Sequence, residues 1–377
     1  LRYLDAISSR TYLDSVVWSH SDYDSHGYPS DIFFALIPHT AETRKMNHPA
    51  SGNECFTPLR SFLPAKLDGI MVIGLGMSMN RDASALVRMQ RDLYNQGYAV
   101  ALTAVMALKQ NCQPSEISIK KLQKQLIEKG CLPEKVLHHQ DTFPLSESNV
   151  LDAVKKYGEF YFSDIHKARI KLANILSHPA IALPHIKEAF NCSGKELKIV
   201  YGLLLGIMGE KDSVDILIDE LNKCEWDEKI FQGSMAEYAH LPTRTDSIIL
   251  ALGYSGSLKA IPAIIKKMNI LNSKSTLSHH RSVAIALEKH KSTVIAKALG
   301  DLLDKPGMSG HEMLELVPLY DKPIEKRCRE KSMREIMLAR ALYHCGDRQN
   351  QGKLILENYA KDIRAFFAAH ARLVLSS

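Results

Sequence analysis

Four segments in the second half of the chain can be laid on one another, and they constrain the fold more than any other feature. They are Leu203-Leu204-Leu205-Gly206-Ile207-Met208-Gly209-Glu210, Leu250-Ala251-Leu252-Gly253-Tyr254-Ser255-Gly256-Ser257, Ile285-Ala286-Leu287-Glu288-Lys289-His290-Lys291-Ser292 and Arg340-Ala341-Leu342-Tyr343-His344-Cys345-Gly346-Asp347. Each reads as the end of one apolar helix, a short polar turn and the approach to a second apolar helix. After the first copy that second helix is Val214-Asp215-Ile216-Leu217-Ile218; after the second it is Ala260-Ile261-Pro262-Ala263-Ile264-Ile265. A pair of amphipathic helices cannot bury its apolar stripe alone, so such pairs must stack.

The copies lie about 35 to 55 residues apart, irregular but centred on the ~40–47 of HEAT-type helix pairs. The expectation for residues 160–377 is therefore an all-α, HEAT-like solenoid, with a non-repeating helical bundle as the alternative. Composition draws the other boundary. Up to about Leu108 the chain is rich in Gly, Pro, aromatic and β-branched residues; beyond about Glu116, Lys, Leu, Ile and Ala dominate. Gln110–Ser115, with Pro114, is the hinge. The division read here is 1–110, a connector over 111–159, and the repeats over 160–377.

In the first part, Thr11–Trp18 reads as a strand and Ser19–Ser30 as a loop broken by Gly27 and Pro29. Ile32-Phe33-Phe34-Ala35-Leu36-Ile37 reads as a strand buried on both faces. Thr57–Pro64 is extended, with a proline near each end. Ile70-Met71-Val72-Ile73 reads as a short buried strand running into Gly74-Leu75-Gly76. Asn80 caps a helix starting near Arg81, and a second helix covers Leu93–Leu108. Strand, glycine turn and polar helix start make an α/β arrangement that can meet a ligand: a glycine lets a phosphate or carbonyl approach where a Cβ would block it. The third glycine of a GxGxxG fingerprint is absent, so the turn alone does not specify a nucleotide.

Over Thr57–Leu108 the order of these features resembles the flavin-binding C-terminal segment of the FAD-dependent oxidoreductase family. The resemblance is to the branch of two-dinucleotide-binding-domain flavoproteins related to the flavin subunit of heterodisulfide reductase. It is carried by Thr57-Pro58-Leu59-Arg60-Ser61-Phe62-Leu63-Pro64, by Leu67–Ser78 with its glycine turn, by Ala83 and Arg88, and by Asn95-Gln96-Gly97-Tyr98-Ala99-Val100-Ala101. The resemblance implies FAD as cofactor and an α/β flavoprotein-domain portion over 1–110. It also implies a set of flavin-side residues: Gly74, Leu75, Gly76, Ser78, Asp82, Ala83, Arg88, Gln96, Gly97, Tyr98 and Ala99. Within the family the glycine turn approaches the pyrophosphate and ribityl chain, and the small-residue helix directs its N-terminal dipole at the isoalloxazine carbonyl. Leu75 stands where many members have Arg, and Ala101 replaces the second glycine of the last helix. The glycine fingerprint that holds the ADP half of FAD is missing and the chain opens on Leu1. The expectation is a fragment of a longer protein, binding FAD poorly by itself.

His20 and His26, with Asp22 and Asp24 between them, stand in one polar loop. Their spacing matches no standard metal site, so no metal is expected. The loop reads as hydrogen-bonded structure; in the flavoprotein reading it lies on the substrate side, and either histidine can carry the proton that accompanies hydride transfer. Asn53 and Arg60 are substrate-side candidates, Arg60 also reading as an ordinary salt-bridged arginine. His138-His139 and His279-His280 carry no ligand spacing. The basic run Lys322, Lys326, Arg327, Arg329, Lys331 and Arg334 reads as a solvated helix face.

The remaining composition excludes more than it specifies. The net charge of +6 over 377 residues and a mean hydropathy of −0.15 permit an anionic ligand without demanding nucleic acid. No apolar run reaches the ~18–20 residues of a membrane span, and no secretory signal is read. Seven isolated cysteines without a CxxC read as reduced thiols of a cytoplasmic protein. Three functions follow: a flavin oxidoreductase acting on a small molecule, a helical-repeat scaffold that binds a protein partner and has no redox role, and a nucleic-acid-binding repeat protein. The scattered acidic residues argue against the last.

Overall fold

The computed structural model describes residues 1–20, 30–37, 54–226, 242–316 and 328–377. The chain separates into two compact units, one of residues 1–33 and 42–185, the other of residues 34–41 and 186–377.

The first unit opens with helix α1 (Tyr3–Ile7) and strand β1 (Ser15–Ser19). Next in the chain come the short helix α2 (Phe33–Leu36), of which residues from Phe34 on belong to the second unit, and strand β2 (Cys55–Pro58) of the first. The two strands pair antiparallel, Val17 opposite Thr57 and Ser19 opposite Cys55, with an irregularity between Ser15 and Val17. They form the only sheet among the described residues. Helices α3 (Arg81–Val87), α4 (Gln90–Gln110), α5 (Ile119–Glu128), α6 (Glu147–Phe160) and α7 (Ile165–Ser177) complete the unit. α6 packs on α7, α1 on α3 and α7, and α4 on β1.

This corrects the expected α/β class. The Ile32–Ile37 run, read as a strand, carries α2: six consecutive apolar residues satisfy a buried helix as well as a buried strand. Ile70–Ile73 is not a strand either. Val72 N–H donates to the Phe62 carbonyl at 2.8 Å, but no ladder continues from it. Ile70 is 50% and Ile73 42% exposed, so the run lacks the covered faces that a buried strand needs.

Helix α8 (Pro179–Cys192) spans the boundary between the units. The second unit is helical throughout its described residues. Helices α9 (Lys195–Ile207) and α10 (Val214–Lys223) form the first pair, α11 (Arg244–Tyr254) and α12 (Ile261–Met268) the second. The third is α13 (Leu277–Leu287) with α14 (Thr293–Leu303), and the fourth α15 (Cys328–His344) with α16 (Gln351–Tyr359). The recurring segments fall at the first helix of each pair and the turn after it. First helices touch in order, α9 on α11, α11 on α13 and α13 on α15; among the second helices α10 meets α12 and α12 meets α14. Helix α17 (Ala365–Leu375) ends the stack, and Phe367, Ala371 and Val374 bury against Ile336, Ala339, Leu356 and Tyr359.

Contacts at the first two junctions are between backbones. A Cβ on Gly206 would stand 2.7 Å from the Ala251 carbonyl oxygen, and one on Gly253 2.4 Å from the Ala286 Cα. At the third junction the equivalent residue is Glu288, and Arg340 Nε donates to its carboxylate at 2.9 Å. A buried polar tie joins α11 to α13. Asp246 closes a capping box with Thr243, and its Oδ1 accepts from His279 Nδ1 (3.0 Å) and Ser282 Oγ (2.8 Å). Burial alone would push the Asp246 carboxyl up; the charge and hydrogen bond of His279, with the donors from Thr243 and Ser282, outweigh it and hold the group below its ordinary value. The neighbouring His280 is fully buried, and burial together with the Arg334 charge pulls it down to about 3.

The basic run is also corrected in one place. Lys322, Lys326 and Arg327 lie outside the described residues. Arg334 is not solvated: it is 2% exposed and its guanidinium donates to the carbonyls of Ser273 (3.0 Å) and Gly307 (2.8 Å). No helix among the described residues is long and apolar enough to cross a membrane.

Candidate functional site

The glycine turn hangs between two anchors. On one side Val72 N–H and Ser78 N–H donate to the carbonyls of Phe62 and Ser61, each at 2.8 Å, so residues 72–78 leave and rejoin the segment after β2. On the other, the turn lies against α4: a Cβ on Gly74 would sit 3.5 Å from Leu93 Cδ2, and one on Gly97 4.0 Å from Ile73 Cδ1. Gly74 takes φ +64°, the left-handed conformation that a Cβ disfavours. Gly74–Gly76 then form a single 3₁₀ turn closed by Met77 N–H on the Gly74 carbonyl at 3.3 Å. The tip is open. Leu75 is 74% exposed, Gly76 and Ser78 are exposed, and the Leu75 N–H has no hydrogen-bond partner among the described residues.

The helix start behind the turn forms as expected. Asn80 caps α3 through its Oδ1, which accepts from Ala83 N–H at 2.9 Å and also from Tyr3 N–H at 3.1 Å. Asp82 is buried, and its carboxylate gathers the Ser30 N–H and Oγ–H (2.8 and 2.7 Å), the Asp31 N–H (2.6 Å) and the Arg81 guanidinium (3.1 Å). Ala83 and Ala99 are buried, and Arg88 is half-buried at the end of α3. Gln96 is buried on α4. Its Oε1 accepts from Gly74 N–H at 2.9 Å and its Nε2 donates to the Val87 carbonyl at 2.7 Å. Of the flavin-side candidates, Leu75, Gly76, Ser78 and Tyr98 lie at the surface, Gly74 and Gly97 are half-buried, and Asp82 and Gln96 bind the chain itself.

On α4 the residues Tyr94, Tyr98, Ala101, Val105 and Leu108 are all exposed, at alternating spacings of four and three, which places them on one face. The opposite face, with Asp92, Gln96, Ala99, Thr103 and Met106, is buried. The helix therefore carries an apolar face toward solvent, and its N-terminal half lies beside the glycine turn.

The substrate-side candidates are dispersed. His20 follows β1 and is exposed; its ring stacks on Trp18 with centroids 6.2 Å apart, and its carbonyl accepts from the Arg91 guanidinium at 3.1 Å. His26 and Asn53 lie outside the described residues. Arg60 spans Asp14 (2.7 Å) and Asp141 (3.1 Å) and lies over the Tyr12 ring. Arg10 shares this cluster, reaching Asp5 (3.2 Å) and Asp141 (2.9 Å). Burial pushes the Asp141 carboxyl up, but its hydrogen bonds to Arg10 and Arg60 and the Arg10 charge outweigh that and lower it. His139 is buried with its ring edge-on to Phe56 at 4.5 Å, and burial lowers it. The Arg10–Arg60–Asp14–Asp141 cluster joins residues up to 131 apart, and no local pattern in the sequence announces it. The roles of Asn80 toward Tyr3 and of Gln96 toward Gly74 are of the same kind.

Against known proteins the chain stands largely apart: no curated protein and no solved structure matches it. The matching family model occupies the N-terminal part of this chain and runs past residue 110, so the reading of residues 1–110 as a C-terminal α/β portion is set aside. Residues 1–126, which include every site residue described above except Asp141 and His139, match the FAD dependent oxidoreductase family, and that match supports a redox role in general.

Proposed function

We propose that residues 1–126 supply a flavin-contacting surface to an FAD-dependent oxidoreductase, with the open Gly74–Gly76 turn at its centre. The observation that carries this reading is the turn itself, inside the matched segment. A left-handed glycine turns the chain, the two glycines flanking Leu75 carry no side chain to block approach, and the Leu75 N–H has no hydrogen-bond partner among the described residues. A backbone donor on a bare turn fits an anionic pyrophosphate oxygen or a flavin carbonyl. Ser78 is exposed after the turn, Gly97 borders it along α4, and Tyr98 follows Gly97 on the exposed face of that helix. When bound, a flavin supplies the hydride or electron exchange. The chain positions the cofactor and manages protons: His20, exposed beyond β1, is the group assigned to exchange a proton with a small-molecule substrate, with His26 in the same loop of the sequence. Arg60 offers a guanidinium to a substrate carboxylate only if it loosens from Asp14 or Asp141.

Titration of FAD into the 377-residue chain, followed by flavin fluorescence, tests this. The expected result is weak but saturable quenching, weakened about fivefold or more by Gly74→Ala, because a Cβ at φ +64° costs ~1–2 kcal/mol and re-aims the tip. A flat titration for the unaltered chain overturns the proposal.

A further inference from the structure

We infer that Gln96 is a positioning residue of the flavin-facing turn and not one of its ligands. The inference rests on the flavin reading above, but its structural half stands by itself. Gln96 has no exposed surface, and its amide lies between two backbone groups that have no other hydrogen-bond partner among the described residues. Val87 is the last residue of α3, so its carbonyl is one of those a helix leaves unpaired. The Gly74 N–H points at the Gln96 side chain, whose Oε1 lies 2.9 Å away. One carboxamide answers both, accepting from Gly74 and donating to Val87. It therefore fixes the glycine at which the tip turns, and with it the direction of the Leu75 N–H. A purely apolar side chain of the same size would leave a buried donor and a buried acceptor unpaired.

The chemistry of the pair gives a specific test. A protonated glutamic acid has the shape and hydrogen-bonding sense of glutamine here: its carbonyl oxygen accepts from Gly74 and its hydroxyl donates to Val87. An ionised glutamate presents an oxygen to the Val87 carbonyl and repels it. The charged groups nearest Gln96 and Val87 in sequence are Asp92, buried one turn earlier on α4, Arg91, exposed beside it, and Arg88, half-buried next to Val87. In Gln96→Glu, FAD affinity at pH 8 is expected to fall about tenfold, the effect of losing roughly one buried hydrogen bond. It is expected to return to within about threefold of the unaltered chain at pH 5.5, where the unaltered chain is flat over the same range. Without FAD, amide exchange at Gly74 should quicken at pH 8 in Gln96→Glu and in Gln96→Met.

Each outcome decides something. If the unaltered chain takes up no FAD, the flavin reading falls and the positioning role falls with it, while Gly74 exchange still reports on the strut. If Gly74 exchange is unchanged by either substitution, the strut itself is refuted. If exchange quickens but FAD affinity at pH 8 does not fall, or falls without recovery at pH 5.5, the positioning role is refuted alone. The recovery is measured within one variant, so it stays readable even if Gln96→Met fails to fold.

Discussion

Gly253 and Gly74 show two unlike uses of one residue type. Gly253 lies inside α11 in an ordinary helical conformation, and what matters is the space its missing Cβ leaves to Ala286. Gly74 has room for a Cβ, with only Leu93 Cδ2 in ordinary contact at 3.5 Å, and what matters is its positive φ. Gly253 is a packing device, whereas Gly74 is a backbone device. A substitution therefore tests different physics in the two places, and the results should separate in size and in what they disturb.

The largest effect is expected at Gly253. Alanine there meets the Ala286 Cα at 2.4 Å and its carbonyl oxygen at 2.9 Å, so α11 and α13 must separate. Overpacking usually costs ~1–3 kcal/mol, and a clash with backbone belongs at the upper end, so Gly253→Ala should lose about 3 kcal/mol or more in denaturant unfolding. Gly206→Ala, with its closest contact at 2.7 Å, should follow just below. Because the helix pairs touch in order, both losses should appear in the transition of the helical unit. Equal stability in Gly253→Ala and the unaltered chain would mean that the first helices do not approach as described.

Next comes the polar tie between the same two helices. Asp246→Asn removes a buried charge that accepts from Thr243, His279 and Ser282, leaving at least one of those donors ill-matched. A loss of about 2 kcal/mol at neutral pH is expected. The folded value of the Asp246 carboxyl is depressed, so its stabilisation is full above the ordinary carboxylate value near 3.8 and is lost as pH falls through the folded value. The stability gap between the two proteins should therefore narrow only below about pH 4. A gap that stays constant from pH 7 to pH 3 would show that the charge does not stabilise the tie.

These two regions also differ in how legible they were. The four recurring segments mark real helix ends and real turns because an apolar stripe that stops at a polar Gly-containing stretch has few other ways to fold. The cap at Asn80 and the helix over Leu93–Leu108 were legible for the same local reason, although α4 begins three residues earlier, at Gln90. The two apolar runs at Ile32–Ile37 and Ile70–Ile73 misled because length and hydrophobicity do not say whether a neighbouring strand exists. Arg334 misled because a basic run hides which of its members the helix turns inward. At the site, Gly74 could be read from its place in the turn. The resemblance implies flavin contacts for Asp82 and Gln96; what no local pattern reveals is that their side chains bind Ser30, Asp31, Gly74 and Val87, contacts that close only when separate segments meet.

Smaller again is the expected stability effect at Gly74. Alanine should cost about 1 kcal/mol from the left-handed φ, with no helix displaced. Its FAD titration should suffer more than its melting curve. The reverse result, a large stability loss with unchanged FAD uptake, would make Gly74 a packing glycine after all and erase the contrast with Gly253.

The smallest effect, and the sharpest division, is expected at Gly97. It lies within α4, one turn before Ala101 on the solvent-facing side of the helix, and the nearest atom to a Cβ there is Ile73 Cδ1 at 4.0 Å. Nothing in the packing asks for a glycine. In a helix interior glycine is ~0.5–1 kcal/mol worse than alanine, so Gly97→Ala should stabilise the chain by about 0.5 kcal/mol. The fold itself would accept alanine here, and on the proposed function the missing Cβ leaves room for the flavin. If FAD affinity falls in Gly97→Ala while the melting temperature rises, the missing Cβ serves the flavin. If the melting temperature rises and FAD affinity holds, Gly97 drops out of the flavin surface and the site contracts to the Gly74–Ser78 turn.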